Sequence, residues 1–271
     1  MAAVVELAQV SKRYRLSHER SRTLQDIWLG LFKGKRSARI EEFWALRDVS
    51  LQIGQGESVA LIGPNGAGKS TALKIISRII DPTHGMVRVR GRMSALIELG
   101  AGFHGDLTGR DNIFLNGSVL GFSRRDMQAR FDAIVSFAEL EQFIDTEIKR
   151  WSVGMIMRLG FAVATSVSPD ILITDEILAV GDESFQRKCL RRIKTFRQEG
   201  GTILFVSHDM HAVRDLCDRS IWLDHGRVQL DGPTDEVVAR YLASDRDQPS
   251  PTTLMAQAPL KDVPQIVGKA R

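Results

Sequence analysis

The stretch Gly63-Pro64-Asn65-Gly66-Ala67-Gly68-Lys69-Ser70-Thr71 fits the phosphate-binding pattern G-x-x-x-x-G-K-[ST]. The tail of a nucleoside triphosphate crowds several negative charges onto neighbouring oxygens. A loop whose backbone N–H groups turn inward can hold it, and glycines let the backbone curl that tightly. In this pattern Lys69 reaches the outer phosphates and the Ser70 hydroxyl ligates Mg²⁺. Thr71 lies just inside a helix whose N-terminal dipole also favours anions. The flanks suit the motif: Glu57–Ile62 reads as a buried strand and Ala72–Ile76 as a helix.

A second group of reactive side chains lies downstream. Ile171-Leu172-Ile173-Thr174-Asp175-Glu176 is an apolar strand ending in two acids. Strands ending this way are common, but an acid at a strand tip beside a phosphate loop can hold Mg²⁺. A second acid can orient or deprotonate an attacking water. Asp175 therefore takes the metal role and Glu176 the base role. Val206-Ser207-His208-Asp209 follows another apolar strand. Strand tips of an open α/β sheet face one crevice, so His208 could contact the γ-phosphate or the water.

The elements that must position these residues alternate, as in an α/β core. Val4 to Tyr14 reads as a short strand and a turn, Leu46–Ile53 as the next strand, and Met86–Arg90 as another. Residues from about 110 to 168 are mostly helical in pattern. Ile171–Thr174, Thr202–Val206 and Ser220–Leu223 are further short strands. Residues 15–45 read as an insertion. Within it Leu24, Ile27, Trp28, Leu31 and Phe32 form one apolar helical stripe flanked by basic residues. Such a helix packs either on its own domain or against a membrane partner or surface. Residues 246–271 are polar and Pro-rich and read as a flexible tail.

Composition bounds the function. The 271 residues are 43% hydrophobic and 26% charged, as in a soluble globular protein. No apolar run approaches the roughly 18 to 20 residues needed to cross a bilayer. The N-terminus lacks a basic region followed by a long apolar core, so no secretion signal is expected. Two cysteines, Cys189 and Cys217, match no metal spacing and fit a reducing cytoplasm. A net charge of +4 does not argue for nucleic acid.

Trp151-Ser152-Val153-Gly154-Met155 opens an apolar helix before Asp175. Phosphate loop, this Ser-x-Gly segment, Asp-Glu and His, in that order, resemble the nucleotide-binding domain of an ABC transporter. The resemblance covers roughly residues 4–243. It implies a P-loop NTPase fold of ABC type: a mainly parallel α/β sheet core with an antiparallel β lobe and an α-helical lobe. The domain would span residues 1–245, with the helical lobe over about 105–168. It implies ATP and Mg²⁺ as ligands and a homodimer in which Ser152 and Gly154 bind the γ-phosphate of ATP held by the opposite subunit. Tyr14 matches the aromatic that stacks on adenine. The family's usual glutamine is missing, and Glu98 is the polar candidate nearest its place, as a Mg²⁺ or water contact.

Three departures narrow the resemblance. Val153 and Met155 replace a glycine and the glutamine of the common Leu-Ser-Gly-Gly-Gln signature, so the backbone at Val153 must tolerate a β-branched side chain. Glu98 stands near the glutamine's place. Leu178-Ala179-Val180-Gly181-Asp182 stands where Ser-Ala-Leu-Asp is common, and Asp182 could cross the subunit interface. Together with Glu98–His104, Leu107–Ile113 and Phe43–Val49, these segments are similar to the branch that exports O-antigen, capsule and teichoic acid polymers. That implies a membrane permease partner and a peripheral position on the cytoplasmic face of the membrane. Some members carry a C-terminal carbohydrate-binding domain. The roughly 25 residues after Ala243 are too few for a sandwich of about 100 residues, so none is expected. Import of a small solute and a soluble ABC mechanoenzyme are the alternative readings.

Overall fold

The computed structural model describes residues 3–17, 40–96, 100, 102–166, 169–175 and 181–246. The stripe at 24–32, Glu98, Glu176, the segment 178–180 and the tail from 247 onward lie outside the described residues.

The chain opens with two long antiparallel strands, β1 (Ala3–Ser17) and β2 (Ile40–Gly54). The buried strand β3 (Ser58–Ile62) runs into helix α1 (Lys69–Ile76). Strands β4 (His84–Val89) and β5 (Met93–Ala95) follow. Three helices come next: α2 (Gly109–Val119), α3 (Arg124–Ala138) and α4 (Val153–Ser166). Alternation then resumes with β6 (Ile171–Asp175), α5 (Glu183–Gln198), β7 (Thr202–Val206) and α6 (Met210–Leu216). A hairpin of β8 (Arg219–Asp224) and β9 (Arg227–Pro233) leads into α7 (Thr234–Arg246).

These strands make two sheets. A three-stranded antiparallel sheet has the order β2-β1-β4, and a six-stranded sheet has the order β5-β6-β7-β3-β8-β9. The larger sheet is parallel except for β9. The α/β expectation and its two lobes are met. The strand ends differ from the sequence reading. β1 continues to Ser17 and β2 begins at Ile40, so both ends of the segment read as inserted belong to one ladder. Half-buried Arg13 and exposed Tyr14, Arg15, Glu42 and Phe43 hide the strands from a search for apolar alternation. The Arg13–Glu42 ion pair at 2.9 Å bridges them.

Burial explains why the larger sheet sits at the centre. In β3, Val59 and Leu61 join the core beneath the small sheet, while Ala60 and Ile62 join the core on the opposite face. Both faces are covered, so the strand reads as an unbroken apolar run. A third core, with Ile113, Phe131, Ile134, Trp151 and Leu159, holds α2, α3 and α4 together as a separate helical lobe. Local signals set the helix starts. Thr108 caps α2 by accepting from the Asp111 N–H, and Ser123 with Asp126 forms a reciprocal cap on α3.

Candidate functional site

The loop between β3 and α1 is shaped by its glycines. Gly63 has φ +145°, and a Cβ there would lie 2.0 Å from the Leu223 carbonyl oxygen of β8. Gly68 has φ +105°, and its Cβ would lie 2.5 Å from the Ala45 carbonyl oxygen of β2. Both positions let the loop pass between two strands where no side chain fits. Gly66, with φ +81°, has nothing within 4 Å of an added Cβ, so the loop's outer face stays approachable. The rear of the loop is closed by the Gly226 N–H donating to the Ala67 carbonyl at 3.0 Å.

Lys69 is largely buried, and its ammonium donates to the carbonyls of Gly63 at 2.8 Å and Pro64 at 3.0 Å. The charge is thus held inside the curl of the loop. Ser70 is exposed at the first turn of α1. The loop opens on a cleft of about 290 Å³, lined by Asn65, Gly66, Gly68, Lys69, Ser70 and Thr71 with Phe43 and Ala45 of β2.

The sheet register brings the remaining elements to the same edge. Leu61 of β3 is paired with Val206 of β7, and Val206 with Asp175 of β6. One row therefore crosses three parallel strands, with neighbours about 4.8 Å apart. Just beyond it lie the phosphate loop on β3 and Ser207 and His208 on β7. His208 is exposed, while Ser207 is buried and its Oγ accepts from the Asp209 N–H at 3.0 Å. Asp209 in turn caps α6 through the His211 and Ala212 N–H groups.

Ser152 and Gly154 lie elsewhere, at the start of α4 on the helical lobe. Among the described residues none from α4 lines the loop's cleft. The Ser152 Oγ accepts from the Met155 N–H at 3.2 Å. Val153 is 71% exposed, so its branched side chain points away from the helix's packing. The segment is anchored by Trp151, whose indole N–H donates to Thr146 Oγ1 at 2.8 Å. Its ring lies against Gly109, where a Cβ would come within 2.4 Å of Cη2.

Tyr14 is 37% exposed, with the Lys12 ammonium 5.4 Å from its ring centroid. Its ladder partner is Phe43. Asp182 caps α5: Oδ1 accepts from the Phe185 N–H at 2.9 Å and the Ser184 hydroxyl at 2.7 Å, and Oδ2 accepts from Arg158 at 2.8 Å. The Phe185 N–H and the Ser184 hydroxyl, with Arg158 nearby, hold this carboxyl below its usual range. Sequence reasoning missed Phe43 and Arg158. The Phe-Trp pair before Ala45 was visible, but only the ladder and the cleft give Phe43 a place. Nothing near Arg158 in the sequence marks it. Among the described residues no group of three or more His, Cys, Asp or Glu side chains could cage a metal by itself.

A family model described as ABC transporter matches residues 46–179. The chain is 45% identical over 244 residues to the O-antigen export system ATP-binding protein RfbB of Klebsiella pneumoniae, covering 89% of this chain and 98% of that one. It is 44% identical over 237 residues to the teichoic acids export ATP-binding protein TagH of Listeria monocytogenes, covering 88% of this chain and 69% of that one. Among solved structures, a dimeric post-hydrolysis state of the ATP-binding cassette MJ0796 bound to ADP and Pi aligns with a TM-score of 0.67 and 25% identity, over 85% of this chain and 98% of that one.

Proposed function

The chain belongs to the ABC transporter family, and on that premise we propose that it is the ATP-hydrolysing subunit of an exporter for a polysaccharide or related glycopolymer of the O-antigen or teichoic acid kind. One observation carries the site chemistry: the glycine loop, the end of β6 and His208 share one edge of the sheet, with Lys69 at the cleft.

In this reading the β- and γ-phosphates lie on the loop N–H groups from Asn65 to Thr71, over the open face at Gly66. Lys69 turns its ammonium from the loop carbonyls to the phosphates. The exposed Ser70 hydroxyl and the Asp175 carboxylate offer the hard oxygen donors that suit Mg²⁺. That ion would neutralise charge developing on the transferred phosphoryl group. Glu176 orients and deprotonates the attacking water, and His208 donates to the γ-phosphate oxygens. Glu98 is carried as a further water or Mg²⁺ contact.

Ser152 and Gly154 sit away from the cleft of their own chain and fit a site completed by a second copy. A helix start with a hydroxyl and a bare glycine next to it suits the γ-phosphate of the partner's ATP. The pair would close on ATP and reopen after hydrolysis. Among the described residues no helix is long and apolar enough to cross a membrane. The proposal therefore includes a separate membrane-spanning permease, with this subunit peripheral on its cytoplasmic side.

The test is Glu176→Gln. The variant is expected to bind ATP as the native chain does, to lose hydrolysis, and to elute as a dimer with MgATP. Cells carrying it should retain the polymer inside. Hydrolysis near the native rate would remove Glu176 from the base role. Normal surface polymer in cells lacking the chain would remove the export reading.

A further inference from the structure

Ala45 of β2 is wedged between two glycines. Its carbonyl oxygen would lie 2.5 Å from a Cβ at Gly68 and 2.7 Å from one at Gly226. This part of β2 is therefore fixed against the phosphate loop. Two residues before Ala45, across an irregularity in the β1–β2 register, stands Phe43. It lines the cleft together with the loop and is 50% exposed.

Its neighbour Trp44 points to the other face and is already engaged. Trp44 stacks on His84 with centroids 6.2 Å apart and receives the Arg13 guanidinium at 5.5 Å. Phe43 has no such ring contact among the described residues. Its cross-strand partner is Tyr14, directly opposite in the antiparallel ladder. Directly opposed residues present their side chains on the same face. Two exposed aromatic side chains thus stand side by side, and one of them borders the phosphate cleft.

We propose that Phe43 is a nucleobase-binding residue: Phe43 and Tyr14 form a two-ring shelf on which the purine of ATP lies while its phosphates occupy the loop. The inference rests on the ATP-binding reading and assigns the base to two residues rather than to Tyr14 alone. A planar heterocycle gains from offset stacking on an aromatic face, and a larger purine covers more of two rings than a pyrimidine does. The shelf would therefore favour purine over pyrimidine nucleotides. Phe43 offers no hydrogen bond, so it adds affinity without choosing between adenine and guanine.

The experiment compares binding of ADP and of inorganic tripolyphosphate to the full chain by calorimetry. Phe43→Leu keeps an apolar side chain and drops the ring, and Phe43→Tyr keeps the ring. Phe43→Leu is expected to weaken ADP binding by on the order of 10-fold. It should leave tripolyphosphate affinity and the melting temperature unchanged, and Phe43→Tyr should bind ADP as the native chain does. Native ADP affinity in Phe43→Leu would overturn the proposal. So would an equal loss for tripolyphosphate, which would mean that Phe43 only shapes the loop. A native chain that binds neither ligand would instead overturn the ATP-binding reading beneath it.

Discussion

Arg158 of α4 donates from Nη2 to Asp182 Oδ2 at 2.8 Å, so the helix that begins at Ser152 is tied to the turn before α5. The guanidinium also lies 5.0 Å from the Phe185 ring centroid and 3.4 Å from Glu139. The sequence left Asp182 as a candidate to reach a second subunit. Here both its carboxylate oxygens are used within its own chain. The pair joins the segment proposed to serve the partner's ATP to the turn that follows the proposed base Glu176 in sequence.

That link gives the first prediction. Arg158→Met keeps the apolar stem over Phe185 and removes the charge. ATP affinity of the isolated subunit is expected to stay native, while the steady-state ATPase rate falls several-fold because α4 and the α5 turn no longer move together. Unchanged kcat at saturating ATP would assign the pair a purely structural role. The pH dependence has a defined sign. The Asp182 pKa is lowered on folding, so its contribution is present above the ordinary carboxylate value near 3.9 and is lost as pH falls through the lower folded value. The melting-temperature gap between the native chain and Asp182→Asn should be constant from pH 8 to 5 and narrow below about pH 4.

The two loop glycines should separate cleanly. At Gly63 a methyl group would meet a strand carbonyl at 2.0 Å, whereas at Gly66 it meets nothing. Gly63→Ala is expected to cost about 3 kcal/mol and to abolish ADP binding. Gly66→Ala faces only the backbone penalty of its positive φ, about 1–2 kcal/mol, and should keep a native-like melt. Denaturant midpoints for the two variants check the order, and equal losses would contradict it.

The phosphate loop was legible because its chemistry is contiguous: glycines, lysine and hydroxyl are all within Gly63–Thr71. Asp175 and His208 were legible as strand tips, and the parallel register that aligns Leu61, Val206 and Asp175 explains why. Phe43 and the Arg158–Asp182 pair were not legible. Each depends on a contact between distant segments that leaves no local pattern. The ends of β1 and β2 were misread because exposed charges in a projecting two-stranded ladder erase the apolar alternation that marks a half-buried strand.

The cysteines should be inert in the folded chain. Burial pushes the thiols of Cys189 and Cys217 up to about 12. At pH 8 such a thiol carries about three orders of magnitude less thiolate than an exposed one near 8.5. Iodoacetamide is expected to leave both unmodified in the native chain and to label both within minutes in denaturant. Rapid native labelling at either residue, read by mass spectrometry, would show that its core opens on that timescale.

Trp151 gives the last prediction, because it connects packing in the helical lobe to the position of Ser152. The indole cannot retreat freely: its N–H is committed to Thr146, and its ring fills the space beside Gly109. Gly109→Ala would place a methyl group 2.4 Å from the ring edge and 3.0 Å from Ile144 Cδ1. Relief has to come from moving the indole, and the residue that follows it is Ser152. Overpacking of this kind is expected to cost about 1–3 kcal/mol. ADP affinity of the isolated subunit should be spared, since the cleft lies in the other lobe, and ATP hydrolysis should fall because in the proposed dimer it needs Ser152 in place. Trp151→Phe in the Gly109→Ala background shortens the ring at the point of collision. It should recover part of the rate, even though it gives up the bond to Thr146. If the double variant were slower than Gly109→Ala alone, the indole's hydrogen bond rather than its position would be what sets Ser152.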